Sequence, residues 1–243
     1  MCCRFVALAF AMVIGMSAAI AHAELESRLG GEAVYDSDLQ ITWLADANLA
    51  ASNDFGVRFI EPDGWTDAIS ARNFVAAMNL ENYLGFSDWR LPSTLQPDPS
   101  CGTQNGIGSL DFNCTGGEMG HLFYNELGGL ANQDIADTHD AGFSLFRNVQ
   151  SRGLSYWSGT ESGSQGSGST WSFEFGSGRQ RSGRNLNGSF MWPVRPGDVA
   201  VVPEPEVWLG SLACLSLLGL RLARRTRGSA RPGATRHQEI FPG

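Results

Sequence analysis

The sequence predicts an α+β domain flanked by two membrane-directed ends. Three observations predict it. Apolar residues recur at helical spacing in two stretches, short β-prone runs lie before and after them, and an apolar segment stands near each terminus. Two helices followed by a late set of short antiparallel strands is the α+β pattern, and the early strands are expected to join the late sheet.

Ala33-Val34-Tyr35 and Ile41-Thr42-Trp43-Leu44 surround Asp36-Ser37-Asp38 and read as a hairpin, with β-branched and aromatic residues on both sides of turn formers. Trp65 to Leu84 reads as the first helix. Trp65, Ala68, Ile69, Val75, Met78 and Leu80 supply much of its apolar face, and Gly85 ends it. Glu118 to Leu127 reads as a shorter helix with Met119, Leu122, Phe123 and Leu127 on one side, stopped by Gly128-Gly129. Tyr156-Trp157-Ser158 opens the late strands, and Trp171 to Phe175 alternates as a half-buried strand does. Arg179 to Ser189 is polar and reads as a surface excursion, and Phe190 to Arg195 as the closing strand.

The ends carry addresses. Arg4, the apolar run Phe5 to Ile20 and Ala21-His22-Ala23 form the three parts of a secretory signal peptide over residues 1–23. Signal peptidase is expected to cut between Ala23 and Glu24. Near the other end, Val202-Pro203-Glu204-Pro205 precedes an apolar run from Val207 to Leu220 and the cluster Arg221, Arg224, Arg225 and Arg227. With Leu222 and Ala223 the apolar segment covers 207–223, a marginal span against the roughly 20 residues a bilayer needs. The arginines are expected to stay cytoplasmic, with the preceding domain outside.

This three-part tail resembles the PEP-CTERM sorting signal of Gram-negative bacteria, here over 199–227, with 228–243 as a basic tail beyond it. The resemblance implies recognition by an exosortase, cleavage near Pro203-Glu204-Pro205, transient anchoring in the inner membrane, and release to the cell surface or an exopolysaccharide matrix.

Between the signals, residues 24–198 hold 22 carboxylates against 10 arginines, a balance of −12 before any histidine charge; the chain has no lysine. Such a field argues against nucleic acid or an anionic membrane as partner. The exported part keeps two cysteines, Cys101 and Cys114. In an oxidising compartment they read as one disulfide, a metal site lacking a matching second Cys or His pair.

Three stretches carry a second resemblance. They are Val34-Tyr35-Asp36 through Trp43-Leu44, then Gly85-Phe86-Ser87-Asp88-Trp89-Arg90-Leu91-Pro92, then Tyr156-Trp157-Ser158-Gly159-Thr160 with Val194-Arg195-Pro196. The arrangement is similar to the Lcl C-terminal domain family over nearly all of Gly30 to Asp198, within a domain of 24–198. It implies a C-type-lectin-like fold, related to that of formylglycine-generating enzymes. The paired late cysteines those enzymes use have no counterpart here, since no cysteine lies between Cys114 and Cys214.

Candidate sites divide between ligand and scaffold readings. In Trp89-Arg90-Leu91-Pro92, Trp89 and Leu91 are expected to fill the core and Arg90 to pair with a buried carboxylate; Arg195 reads the same way. Gln96-Pro97-Asp98 matches a tripeptide that some C-type lectins use for calcium and galactose. A lone tripeptide without a Trp-Asn-Asp partner reads instead as a surface loop, so no cofactor is assigned and calcium alone is left open. Asp134, Asp137, His139 and Asp140 read as a solvated acidic loop, and His121 as an ordinary helix histidine. No nucleophile elbow, histidine-rich zinc motif or phosphate loop occurs. The expectation is a non-catalytic surface or matrix protein whose domain binds glycan or another extracellular polymer. A purely structural matrix component is the alternative, and a metal-dependent enzyme a more distant one.

Overall fold

The computed structural model describes residues 25–163 and 168–199. The two terminal signals, with Ala23, Glu24, Pro203, Glu204, Pro205, Arg221, Arg224 and Arg225, lie outside these residues. So do the apolar segment 207–223 and the tail 228–243. Among the described residues no helix is long and apolar enough to cross a membrane.

The fold is α+β. A four-stranded antiparallel sheet runs β1 (Leu25–Arg28), β2 (Ala33–Asp36), β3 (Ile41–Leu44), β9 (Val194–Pro196) in spatial order. Tyr35 sits opposite Thr42 and Trp43 opposite Val194, so the predicted hairpin pairs directly with the last strand. The first and last described strands thus share one sheet, and Arg28 ties them further by pairing with Asp198 at 2.8 Å. The other late strands form a sheet of their own: β6 (Tyr156–Glu161), β7 (Ser169–Glu174) and β8 (Arg179–Arg184), in that order. The expectation that the early hairpin joins the whole late sheet therefore holds only for its final strand. A small hairpin, β4 (Thr103–Asn105) and β5 (Gly108–Leu110), lies beside β8.

Helix α1 spans Ala68–Leu80, shorter at both ends than the apolar pattern predicts. Asp67 caps it, its carboxylate accepting from the Ile69 and Ser70 amides at 2.9 and 2.7 Å. That places Trp65 before the helix. At the other end Asn82 and Leu84 take left-handed backbone angles that end regular helix before Gly85. The buried face is Ala68, Ala71, Phe74, Val75 and Met78, the i, i+3, i+4, i+7 stripe. Ile69 and Leu80, expected inside, are 51% and 84% exposed.

The second predicted helix has two parts. α2 (Glu118–His121) runs directly into a π-helical turn, Leu122–Glu126, where the Leu127 amide reaches the Leu122 carbonyl at 2.9 Å. Met119, Leu122, Phe123 and Leu127 are all buried, as their spacing predicts. Gly128 then takes a positive φ of 69°. One further turn, α3 (Ile135–Thr138), falls in the segment predicted to be loop. The excursion expected at Arg179–Ser189 is also corrected: its first six residues are β8, paired with β7 from Ser169↔Arg184 to Glu174↔Arg179.

The core is aromatic. Trp192 packs against Trp43, Phe146, Tyr156 and Phe175 at ring distances of 5.0–5.4 Å. Its indole donates to the Leu44 carbonyl at 2.7 Å, so the buried ring keeps its polar atom satisfied. Trp157 donates likewise to the Thr66 carbonyl at 2.9 Å. Aromatic pairs of this kind contribute about 0.5–1.5 kcal/mol each beyond their burial.

Candidate functional site

A cleft lies where α1, the Trp89–Ser93 segment and β6 converge. It encloses about 430 Å³ and is lined by Arg72, Val75, Trp89, Arg90, Leu91, Ser93, Gly159 and Thr160. Two of the sequence stretches singled out above, Trp89-Arg90-Leu91 and Gly159-Thr160, thus form facing walls.

Local hydrogen bonds fix each wall. The Asn79 side chain accepts from the Trp89 amide and donates to its carbonyl, at 2.9 and 2.8 Å, binding this segment to the end of α1. The Trp89 indole donates to the Tyr83 carbonyl at 3.1 Å. Arg90 pairs through its backbone with Val194 in both directions. Beyond it, the Pro92 carbonyl accepts from the Gly159 amide and the Ser158 hydroxyl, both at 2.8 Å. The Thr160 hydroxyl accepts from the Thr94 amide at 2.9 Å. Trp89 and Leu91 are buried as predicted, so the cleft meets their edges rather than free rings.

The cations at the rim are both engaged. Arg90 donates to the two oxygens of Glu118 at 2.7 and 2.6 Å, the carboxylate partner expected of it. Glu118 also accepts from the Ser93 amide at 2.7 Å, and its own amide donates to the Ser93 carbonyl. The Glu118 carboxylate raises the Arg90 pKa against a smaller opposing effect of burial, so the guanidinium stays charged. Arg72 donates to the Thr170 hydroxyl at 2.9 Å and lies 3.6 Å from Glu161. The cleft offers an apolar floor, fixed guanidinium N–H groups and hydroxyls. Its lining includes no carboxylate, imidazole or thiol, so what it can do chemically is hold a polar, neutral to weakly charged ligand.

A smaller, more polar cleft of about 320 Å³ is lined in part by residues of β6, β7 and β8. Trp65, Ser155, Ser172, Arg181, Ser182 and Asn187 are among its lining residues. Arg181 pairs with Glu174, and burial pulls its pKa down.

The remaining predicted site residues serve the scaffold. Cys101 and Cys114 form a disulfide. Arg195 holds Asp88 through two hydrogen bonds of 2.8 and 3.0 Å, and its guanidinium lies over the Phe86 ring at 4.1 Å. Gln96-Pro97-Asp98 is not the surface loop expected. Asp98 is 1% exposed; its oxygens accept from the Ser100 amide and hydroxyl and from the Gly116 amide, while Gln96 both donates to and accepts from Ser109. With those oxygens occupied and Cys101 and Cys114 oxidised, this group does not offer a calcium shell. Asp134 caps α3 and accepts from the Arg152 amide, and His139 stacks on Phe143. No three of Asp134, Asp137, His139 and Asp140 converge on a common point.

No family model, curated protein or solved structure matches this chain.

Proposed function

We propose that this is an exported, exosortase-sorted surface or exopolysaccharide-matrix protein whose non-catalytic, C-type-lectin-like domain binds a polysaccharide. The cleft between Arg72, Arg90 and Thr160 carries the binding half of this reading. Its volume of about 430 Å³ is of the order a small saccharide needs, and its apolar floor with fixed N–H and hydroxyl groups is the composition a polyhydroxylated ligand needs. The strongly acidic domain and the compensated arginines favour a neutral or weakly charged polymer over a polyanion. The sorting half rests on the resemblance of the two termini. It places the domain outside the inner membrane, consistent with the disulfide.

The test is a glycan array with a matrix pull-down, comparing the wild type with Ser93→Phe and Arg72→Met. Ser93 is exposed, and its backbone supplies the contacts to Glu118, so a phenyl ring there fills the cleft without removing them. Wild-type binding weakened at least about tenfold by both changes, at unchanged melting temperature, supports the reading. A wild-type protein that binds no polymer refutes it. Sorting is tested separately. Replacing Pro203-Glu204-Pro205, or Arg224 and Arg225, is expected to retain the protein in the inner membrane, and unchanged release contradicts the sorting half.

A further inference from the structure

A second constellation lies away from both clefts, between the early hairpin and α2. Asp36, the last residue of β2, is fully buried. Its Oδ1 accepts from the Asp38 and Leu39 amides at 3.1 and 3.0 Å and so shapes the hairpin turn. Its Oδ2 is buried and has no hydrogen-bond partner. Facing it are His121 and Glu126, whose side chains are 13% and 4% exposed, with Nε2 and Oε1 3.2 Å apart. One ligand atom from each of the three residues lies within 4.8 Å of the others. Asp38 brings a third carboxylate to 3.8 Å from His121 Nε2.

Two features set this group apart from an ordinary ion pair. The first is charge. Three carboxylates gather around one imidazole, and among the described residues no arginine pairs with any of them. Even a protonated His121 leaves the group net negative, with Asp36 and Glu126 shielded from water and Asp38 open to it. Asp36 is buried and its Oδ2 has no partner, so a charge held there is costly. The Trp43 indole lies on the same face of the hairpin, but its N–H makes no hydrogen bond.

The second feature is the π-helical turn. His121 and Glu126 are five residues apart, a spacing that regular α-helix rotates to different faces. The wider turn over Leu122–Glu126 aligns them. Single π turns are rare and concentrate at functional sites. This one delivers an imidazole and a carboxylate to the unpaired Asp36 oxygen.

We propose that Asp36, His121 and Glu126 form a divalent metal site of the mixed nitrogen–oxygen class, suited to Zn²⁺ or Mn²⁺, that fastens the β2–β3 hairpin to α2. One imidazole with carboxylates selects these ions over calcium, which prefers six or more oxygens. On a tetrahedral zinc with bonds of about 2.0–2.1 Å, neighbouring ligand atoms stand about 3.3 Å apart. The His121–Glu126 separation of 3.2 Å already has that value. Asp38, half exposed in its turn, or a water would complete the shell. The Asn125 side-chain amide lies 3.0 Å from His121 Nδ1; a ring bound through Nε2 carries its proton on Nδ1, so Asn125 orients it only with the amide turned to present its oxygen as acceptor. The site is independent of the polysaccharide cleft, since no lining residue of that cleft belongs to it.

The experiment uses tag-free full-length protein stripped with a chelator. Zn²⁺, Mn²⁺ and Ca²⁺ chlorides are titrated by calorimetry and thermal shift. One equivalent of Zn²⁺ or Mn²⁺ is expected to bind and raise the melting temperature. Asp36→Asn, His121→Gln and Glu126→Gln should each weaken binding at least about tenfold, while Asp134→Asn should leave it unchanged. A variant that fails to fold does not decide the matter, because Mn²⁺ added to the wild type broadens amide signals near the bound ion. Broadening centred on Asp36, His121 and Glu126 supports the site. Broadening centred elsewhere, no binding of either ion, or an Asp36 oxygen satisfied by the Trp43 indole alone overturns it.

Discussion

Removing the Glu118 carboxylate should loosen the cleft wall and the domain together. Glu118→Ala deletes three hydrogen bonds, two from the Arg90 guanidinium and one from the Ser93 amide, each 2.6–2.7 Å long. Breaking a fully buried ion pair costs about 3–5 kcal/mol. Here Arg90 is 38% exposed and water recovers part of its solvation, whereas Glu118 is 13% exposed. The expected loss is about 2–3 kcal/mol, larger than a surface pair would cost because the largely buried Glu118 carboxylate holds both Arg90 and the Ser93 amide. For a domain of this size that is a melting temperature lower by roughly 5–10 °C. Glu118→Gln keeps an acceptor for Ser93 and should lose about half as much. Urea denaturation of wild type and both variants measures the differences. If both variants fall within about 0.5 kcal/mol of wild type, the range of unremarkable surface changes, then Glu118 does not organise this wall.

Three other outcomes follow from the structure. Replacing Cys101 and Cys114 with serine opens a loop closed across 13 positions and should cost about 3 kcal/mol in the chain-entropy model; denaturation of the double variant showing no loss contradicts a stabilising disulfide. Asp67→Ala removes the acceptor for the Ile69 and Ser70 amides and should cost about 1 kcal/mol, with α1 amides exchanging faster; unchanged exchange there removes the cap from the account. The pH dependence has a definite sign. Arg195 lowers the Asp88 carboxyl below its ordinary 3.8, and Thr103 with Arg179 lowers Asp111. A depressed folded-state value stabilises fully above the ordinary one and is lost as pH falls through it. The stability gap between wild type and Asp88→Asn should therefore be widest above the ordinary 3.8 and close as pH falls through the lowered folded-state value. A gap that does not change with pH assigns the effect to packing instead.

Much of this architecture is legible in the chain, and the misses have physical causes. The hairpin was readable because β-branched and aromatic residues flank Asp36-Ser37-Asp38, and the second helix because Met119, Leu122, Phe123 and Leu127 keep helical spacing. The bounds of α1 were not, because Asp67 stops it at one end and left-handed Asn82 and Leu84 at the other, while Ile69 and Leu80 are apolar residues left on the outside. β8 was hidden by its composition: in Arg179–Arg184 only Gln180 is buried, so no alternating apolar signal exists. β1 carries no local signal beside the expected cleavage position, since its four residues gain strand structure only by pairing with β2. The Arg90 partner was predicted as a type, a buried carboxylate, but not as Glu118, because the pairing spans 28 positions. The Asp36–His121–Glu126 group was invisible for two reasons: its members lie on distant elements, and a five-residue spacing carries meaning only once a π turn is present. A local signal did exist, since Asp36 and Asp38 follow an apolar strand, but the turn alone accounted for them.

The most direct test of the central claim is amide chemical-shift mapping with the oligosaccharide that scores highest on the array. Shifts concentrated at Arg72, Arg90, Ser93, Gly159 and Thr160, and abolished by Ser93→Phe, are the predicted result. Shifts confined to the Trp65–Arg181 cleft, or no shifts at saturating sugar, contradict it.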